Sequence, residues 1–239
     1  MEAAREHRNV TTGMGSVIQR IAASQGIRAR FVGVVYLLFF LTAILGAILT
    51  PGTASDILGH QALFRWGFAV SLISLAFYVA LTALFYNLFR PVNRTLALLA
   101  AFFSLVGCAM QAVGSIFQLA PLVLLGGTEF SSAFNVQQLH ALAQMFLNLN
   151  IQAGYVGIVF FGLFDIAIGC LILRSSFLPR ILAVPMVVAG LTWLVFLSPP
   201  LANYLLTPIQ VIGFLAEAAL MLWLLVIGVN VQRWKEQAR

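Results

Sequence analysis

The chain has 239 residues, of which 62% are hydrophobic and only 8% are charged, and its formal net charge is +6 at pH 7. A soluble domain carries about 25% charged residues, so this composition excludes an ordinary soluble protein and indicates one whose surface faces lipid. A nucleic-acid-binding protein would gather its basic residues on one solvated face. Here the arginines stand at the ends of apolar runs, which is typical of contacts with the anionic headgroups of a lipid bilayer.

Six largely apolar stretches follow one another along the chain, each long enough to cross a hydrocarbon core of about 30 Å as a helix. Their expected bounds are 31–50, 63–89, 95–125, 143–173, 178–197 and 208–231. The connections between them are "TPGTAS", "RPVNR", "LGGTEFSS", "RSSFLPR" and "SPPLANYLLTP", all rich in residues that break helices. The sequence therefore predicts an all-α polytopic membrane protein with six transmembrane helices over residues 31–231.

Basic residues predict the orientation of these helices, because Lys and Arg are retained on the cytoplasmic side of a bilayer. With six spans, the basic residues flanking them all fall on one face except Arg65. We therefore expect a multi-pass plasma-membrane protein with both termini cytoplasmic and a cytoplasmic tail at 232–239. Residues 1–30 are expected to be cytoplasmic and to favour an interfacial helix. Their start, "MEAAREHRN", is not expected to be a signal peptide, since acidic residues interrupt the basic ones.

Several segments of the chain resemble a known family. They are "LFRPVNRTLALLAAF", "VFFGLFDIAIGCLILRSSFLPRILAV" and "LWLLVIGV", together with "RFVGVVYLLFFLTAILGA" and "ALFRWGF". On these segments the chain resembles the bacterial membrane family catalogued as domain of unknown function 4386, over nearly everything from Arg30 to Val229. The resemblance implies a compact six-helix integral membrane domain and brings no assigned activity, so it supports the fold and leaves the function open.

Two ionisable residues lie well inside the spans. Glu217 follows Pro208 by nine residues, and Asp165 precedes Arg174 by nine residues. Nine residues of helix rise about 13 Å, which places both acids near the midplane of the core. A lone charge there costs at least about 2.5–3.5 kcal/mol, so each acid must be protonated, paired or hydrated in a cavity.

Their helical neighbours predict that both acids point inward. Asp165 shares a helix face with Gly162 and Gly169, and Glu217 shares one with Gln210 and Gly213. Small and polar residues line helix contacts or cavities and not lipid. One interpretation is that the acids are protonated and hydrogen-bonded to Gln, Tyr or Ser, where they fix the register of the helices. The other is a functional polar cavity.

Polar stripes in other spans favour a cavity that opens toward the outside. The third span has Ser104, Gly107, Gln111, Gly114 and Gln118, the second has Ser71, Ser74, Tyr78 and Thr82, and the fourth has Asn148, Asn150 and Gln152. The predicted ligand or proton site comprises Glu217, Asp165, Gln111, Gln118, Tyr78 and Gln210, with Arg65 and Asn148 at the cavity mouth. Arg65 is equally an interfacial anchor whose guanidinium reaches the headgroups.

Metal and cofactor sites have little support. Asp56, His60 and His140 fall on the outer side and are weak metal candidates, but polar loop residues at a water interface are the simpler interpretation. The spans contain no histidine, and the only lysine is Lys235 beyond the last span. The sequence also has no GxSxG, HExxH or glycine-rich phosphate loop. We therefore expect no metal, haem, retinal or other cofactor.

Three functions remain open. The first, which we favour, is a small-molecule permease or membrane-embedded binding protein in which Glu217 and Asp165 contact the ligand or take up protons, and a homo-oligomer would supply a missing half. The second is a non-enzymatic accessory or structural protein with the acids hydrogen-bonded between helices. The third is an intramembrane enzyme using the outward histidines with Asp56, which little connects. Packing alone rarely requires two carboxyl groups at similar depth, so we expect a non-enzyme of the first kind.

Overall fold

A computed structural model describes residues 30–50, 53–126 and 134–238. The expected interfacial helix before Arg30 lies outside these residues. The regular elements within them are all helical. They are α1 (Arg30–Leu49), α2 (Ala54–Gly59), α3 (Gln61–Phe89), α4 (Arg94–Gln118), α5 (Ala120–Gly126), α6 (Val136–Arg174), α7 (Ala183–Trp193), α8 (Pro199–Val226) and α9 (Val231–Gln237). Short 3-10 turns at Arg180–Leu182 and Leu194–Leu197 extend α7 at both ends.

Six of these helical segments are long and apolar enough to cross a membrane. They are α1, α3, α4 continued by α5, α6, α7 with its 3-10 turns, and α8, which confirms the prediction of a six-helix membrane protein. Their outer surfaces carry bare aliphatic and aromatic side chains, such as Ile48 (73% exposed) and Ile181 (75% exposed). Water would not favour such a surface, but hydrocarbon does.

Polar caps determine where the helices begin. The Asn93 side chain accepts a hydrogen bond from the backbone N–H of Leu96 at 2.9 Å, which starts α4 directly after the "RPV" turn. Asn135 and Gln138 form a reciprocal capping box, and α6 therefore starts at Val136, before the expected residue 143.

The sixth span differs most from its prediction. It begins at Pro199 and not at residue 208, because prolines fit the first turn of a helix, where the N–H has no partner in any case. Pro208 then lies inside the helix. The segment expected to be a long connection, "SPPLANYLLTP", is therefore mostly part of α8.

The six spans pack as a closed ring in the order α1, α3, α4, α6, α7, α8 and back to α1. Each of the pairs from α3 to α8 packs side by side. The α1 helix closes the ring, since Gly33 lies directly against the backbone of Leu225 and Gly46 lies against Ser71. Consecutive spans run in opposite directions, so one end of the ring carries the arginines that flank the spans, which are Arg30, Arg90, Arg94, Arg174 and Arg180. We call this the arginine end, and the other the open end.

The tail helix α9 folds back onto the arginine end. The indole nitrogen of Trp234 donates to the Leu88 carbonyl at the end of α3, at 2.9 Å. The Gln237 side chain donates to the Arg174 carbonyl at 3.0 Å, and its oxygen accepts from the backbone N–H of Ser176 at 3.0 Å. The segment expected to be a simple tail thus ties α3, α6 and the connection after α6 together.

Candidate functional site

The half of the ring nearest the arginine end is a dense apolar core. Phe85, Phe89, Leu171, Ile172 and Leu224 are each at most 2% exposed. In this half α6 and α7 pack closely at Gly169, where an added methyl group would lie 3.1 Å from the Ala183 carbonyl oxygen. Close backbone approach through small residues is how helices pack without a hydrophobic driving force in lipid. The interior of this half is filled by these buried side chains.

The other half of the ring encloses a cavity of about 630 Å³. It extends from Glu217 in α8 toward the open end, where Thr50 and Gln118 lie near the last turns of α1 and α4. Its size falls within the range of about 300–1,000 Å³ that is common for small-molecule sites. The polar side chains in its lining are Thr50, Ser71, Ser74, Tyr78, Gln111, Ser115, Gln118, Asn150 and Glu217.

Glu217 lies at the deep end of the cavity. It is part-buried and lines the cavity, and the Tyr36 hydroxyl donates a hydrogen bond to its Oε2 at 3.2 Å. Gly213, one turn before Glu217, and Ala216, directly before it, are buried against neighbouring helices. The bond from Tyr36 shows that the carboxyl group points between α8 and α1. The arrangement fixes one carboxyl oxygen by a protein donor while the side chain still reaches the cavity.

Asp165 lies behind the cavity wall, one helical turn nearer the arginine end than Phe161. It is 0% exposed, and neither of its carboxyl oxygens has a hydrogen-bond partner among the described residues. The Trp193 indole is a loose hydrogen-bond donor to this carboxyl, outside strict geometry, and the Glu217 carboxyl also lies close to it. A buried polar group without partners is costly, and such groups are uncommon in folded proteins. Asp165 is therefore a feature that packing alone does not explain.

Helices α6 and α8 meet at the open end and separate toward the arginine end. The Tyr155 hydroxyl donates to the Asn203 side chain at 2.6 Å, which joins the two helices directly. Nearer the arginine end α7 packs between them, and the Trp193 ring lies directly against Gly213 of α8. The two acids therefore face the same interior from two helices, but they share no hydrogen bond.

Aromatic rings surround the deep end of the cavity. Tyr78 contacts Phe39 and Phe161 edge-on, with ring centroids 4.7 Å and 4.8 Å away. Phe39, Phe161 and Trp193 also line the cavity, next to Glu217. Sequence reasoning included Tyr78 but missed Phe39, Phe161, Trp193 and the Tyr36 partner of Glu217, because aromatic residues are common throughout the spans and carry no periodic signal of their own. The one usable signal was that Tyr36 is the only hydroxyl-bearing ring in its span.

Three members of the predicted site lie elsewhere: Arg65, Asn148 and Gln210 are exposed and do not line the cavity. Each directly follows a buried residue of its own helix, namely Phe64, Leu147 and Ile209. Successive residues of a helix point about 100° apart, so these polar side chains turn away from the interior. Asn150 lines the cavity in place of Asn148, and the Asn148 side chain instead accepts from Gln144 at 3.4 Å.

Two further polar residues of the stripes pair with each other. Thr82 and Ser104 are buried and hydrogen-bonded to each other between α3 and α4, on the side of the cavity nearer the arginine end. Asp56 accepts from the Thr53 hydroxyl at 2.6 Å, and His60 and His140 are exposed. Within the described ranges, no group of three His, Cys, Asp or Glu side chains could hold a metal ion.

A ring of six spanning helices around a half-open cavity with an acid at its base defines a membrane-spanning helical protein with an internal site. A family model described as "Domain of unknown function (DUF4386)" matches residues 31–228, and the chain belongs to that family. No curated protein and no solved structure matches the chain. The family confirms the resemblance seen in the sequence and assigns no activity.

Proposed function

We propose that this protein binds a small molecule in its intramembrane cavity, as a permease or as a membrane-embedded binding protein. The observation that carries the proposal is the cavity of about 630 Å³ with Glu217 at its deep end. A carboxyl group near the membrane midplane is expensive, and such residues usually mark ligand or ion pathways. Asp165, which has no hydrogen-bond partner among the described residues, adds a second acid next to the same site.

The proposal includes an orientation and a setting. The arginine end faces the cytoplasm of the cell, since basic flanks are retained there, and the cavity opens to the outer side of the plasma membrane. Anionic headgroups contact the arginines, and a homo-oligomer is compatible with the bare apolar surfaces. Catalysis is not part of the proposal. The exposed His60 and His140 lie outside the cavity lining.

One observation favours the alternative, an accessory protein whose acids fix helix register. The Tyr36 hydroxyl bonds Glu217 between α1 and α8, which is the kind of contact a purely structural acid would make. Asp165 supports this alternative less, because it makes no such well-aligned bond with the described residues and has only a loose contact with the Trp193 indole.

Access of water to Glu217 distinguishes the two functions. In a protein with Cys108 and Cys170 replaced by alanine, Glu217→Cys should react in sealed vesicles with a membrane-impermeant thiol reagent added at the open-end side. Leu222→Cys is the matched control on the same helix, since Leu222 is 52% exposed on the lipid-facing surface. It should not react. Thr50→Cys, near the open end of the cavity, should react from the same side.

The opposite result is equally clear. If Thr50→Cys reacts and Glu217→Cys does not, in proteins that elute as folded species, the deep end of the cavity is dry. Glu217 would then be a structural acid bonded to Tyr36, and the accessory function would replace the one proposed.

A further inference from the structure

The charge balance of the cavity is one-sided. Among the described residues that line it there is no Lys, Arg or His, while Glu217 lines its deep end and Asp165 lies just behind the wall. The nearest arginines along the sequence lie at the helix ends, and the open-end arginine, Arg65, is exposed outside the lining. An ionised acid in a site of low dielectric needs an opposite charge. The protein does not supply that charge within the described residues.

The walls around Glu217 suit a cation with an apolar body. Tyr78, Phe39, Phe161 and Trp193 surround the deep end. Aromatic faces attract cations, with Trp and Tyr the strongest, and the interaction grows when the pair is removed from water. Leu75 and Ile158 supply aliphatic wall on the way to the open end.

The dimensions argue against a bare metal ion. A space of about 630 Å³ is far larger than an inorganic ion requires, and no group of three candidate ligands gathers in the described part of the chain. An anion would meet two acids and no basic residue. A neutral apolar molecule would fill the space but would bring no charge or donor to the cavity-facing carboxyl of Glu217, whose one hydrogen-bond partner among the described residues is the Tyr36 hydroxyl.

We propose that the ligand of this cavity is an organic monocation, a protonated or quaternary amine with an apolar body, whose charged group lies against Glu217 within the ring of Tyr78, Phe161 and Trp193. This inference rests on the proposed function and names the class of its ligand. The polar side chains nearer the open end, among them Gln111 and Asn150, then contact the remainder of the molecule.

The test compares two probes that differ only in charge. Phenyltrimethylammonium and tert-butylbenzene have nearly the same shape, but only the first is a cation. Equilibrium dialysis of labelled phenyltrimethylammonium against the full chain in zwitterionic nanodiscs, with empty nanodiscs as background, should give saturable binding. The neutral isostere should compete at least about 10-fold more weakly than unlabelled cation does.

Variants locate the charge and the aromatic contact. Glu217→Gln should weaken the binding of the cation about 10-fold or more, while Glu236→Gln, an exposed acid on α9, should leave it unchanged. Tyr78→Leu should weaken it about 5-fold or more and Tyr78→Phe clearly less, since the ring makes most of the contact. The Tyr78 pair keeps the test decisive if Glu217→Gln fails to fold.

Each outcome separates this inference from the function on which it rests. If the isostere competes as well as the cation does, the cavity recognises an apolar shape, and the cation inference is wrong while ligand binding stands. If neither probe binds a protein whose position 217 reacts with the thiol reagent, only the cation inference is overturned. If neither binds and position 217 is also unreactive, the proposed function fails with it.

Discussion

The two halves of this helical ring are built from similar residues but pack differently. At the arginine end, Phe85, Phe164 and Leu171 fill the interior, and each of these side chains is at most 2% exposed. Glycines bring α6 and α7 into backbone contact. Toward the open end, the same helices leave a cavity of about 630 Å³. The difference teaches that hydrophobicity does not decide which part of a membrane bundle is solid.

Two glycines of α6 illustrate this. Gly162 lies against the Gly190 carbonyl, where a methyl group would come within 2.8 Å. Gly154 lies two turns nearer the open end, and a methyl group there would meet only the Gln111 side chain at 3.7 Å. The sequence presents both as glycines in an apolar helix, yet one closes the bundle and the other borders on its open half.

The largest effect we predict comes from filling the open half. Ala43 lines the cavity on α1, and a benzyl group at this position would occupy the space that a ligand needs. Ala43→Phe should therefore lower ligand affinity about 100-fold or more, about 2.7 kcal/mol, with little change in the apparent melting temperature. Equilibrium dialysis and thermal unfolding of the same preparation would measure both.

The neighbouring residue provides the control for that prediction. Ile44 is 44% exposed on the lipid-facing side of α1 and does not line the cavity. Ile44→Phe should keep ligand affinity and stability. If Ala43→Phe instead unfolds the protein, or binds ligand normally, the open half does not hold the ligand in the way proposed.

An intermediate effect, on stability, is expected where the backbones of α6 and α7 are in contact. Gly162→Ala forces a methyl group against the backbone of α7, and overpacking of this kind costs about 1–3 kcal/mol. Helix propensity returns at most about 1 kcal/mol, so the net change should be destabilising. Gly154→Ala gains the same propensity without the clash and should be neutral or stabilising. Apparent melting temperatures of the two variants, side by side, would decide it; equal values would contradict the contrast between the two halves.

How far the sequence predicts this architecture depends on the kind of information each feature needs. The six spans follow from run length and apolar content, which local composition carries fully, and the capped start of α4 follows from its own residues. The depth expected for Glu217 was counted from Pro208, which lies inside α8 and not at its start, so the rise per residue alone does not give that depth. Gln111 and Gln118 line one wall, as residues seven apart on a helix do.

The features that the sequence could not predict depend on tertiary contacts. Whether Gln210 or its neighbour Ile209 faces inward depends on how α8 rotates against Tyr155, Ile158 and Phe196, which no local pattern records. The start of α8 at Pro199 was missed because a proline reads as a helix breaker, although the first helical turn accepts it. The cavity itself is the space between helices, so it exists only once the ring has closed.

The smallest effect concerns how the solid half is closed at its end. Helix termini leave backbone groups without partners, and Gln237 satisfies one of them by donating to the Arg174 carbonyl at 3.0 Å while also accepting from the Ser176 N–H at 3.0 Å. Each such bond contributes about 0.5–1.5 kcal/mol in net terms, and these lie at an exposed surface where water can replace them. Gln237→Ala should thus lower the apparent melting temperature only slightly but clearly speed amide hydrogen exchange in α9 and at Ser176.

Gln232→Ala is the matched control, because Gln232 is exposed and makes no side-chain hydrogen bond with the described residues. If Gln237→Ala speeds exchange only at the arginine end and leaves ligand binding at the open end unchanged, the two halves are stabilised independently. A loss of ligand affinity in Gln237→Ala would mean that α9 also controls the shape of the cavity, which the contacts at the arginine end do not predict.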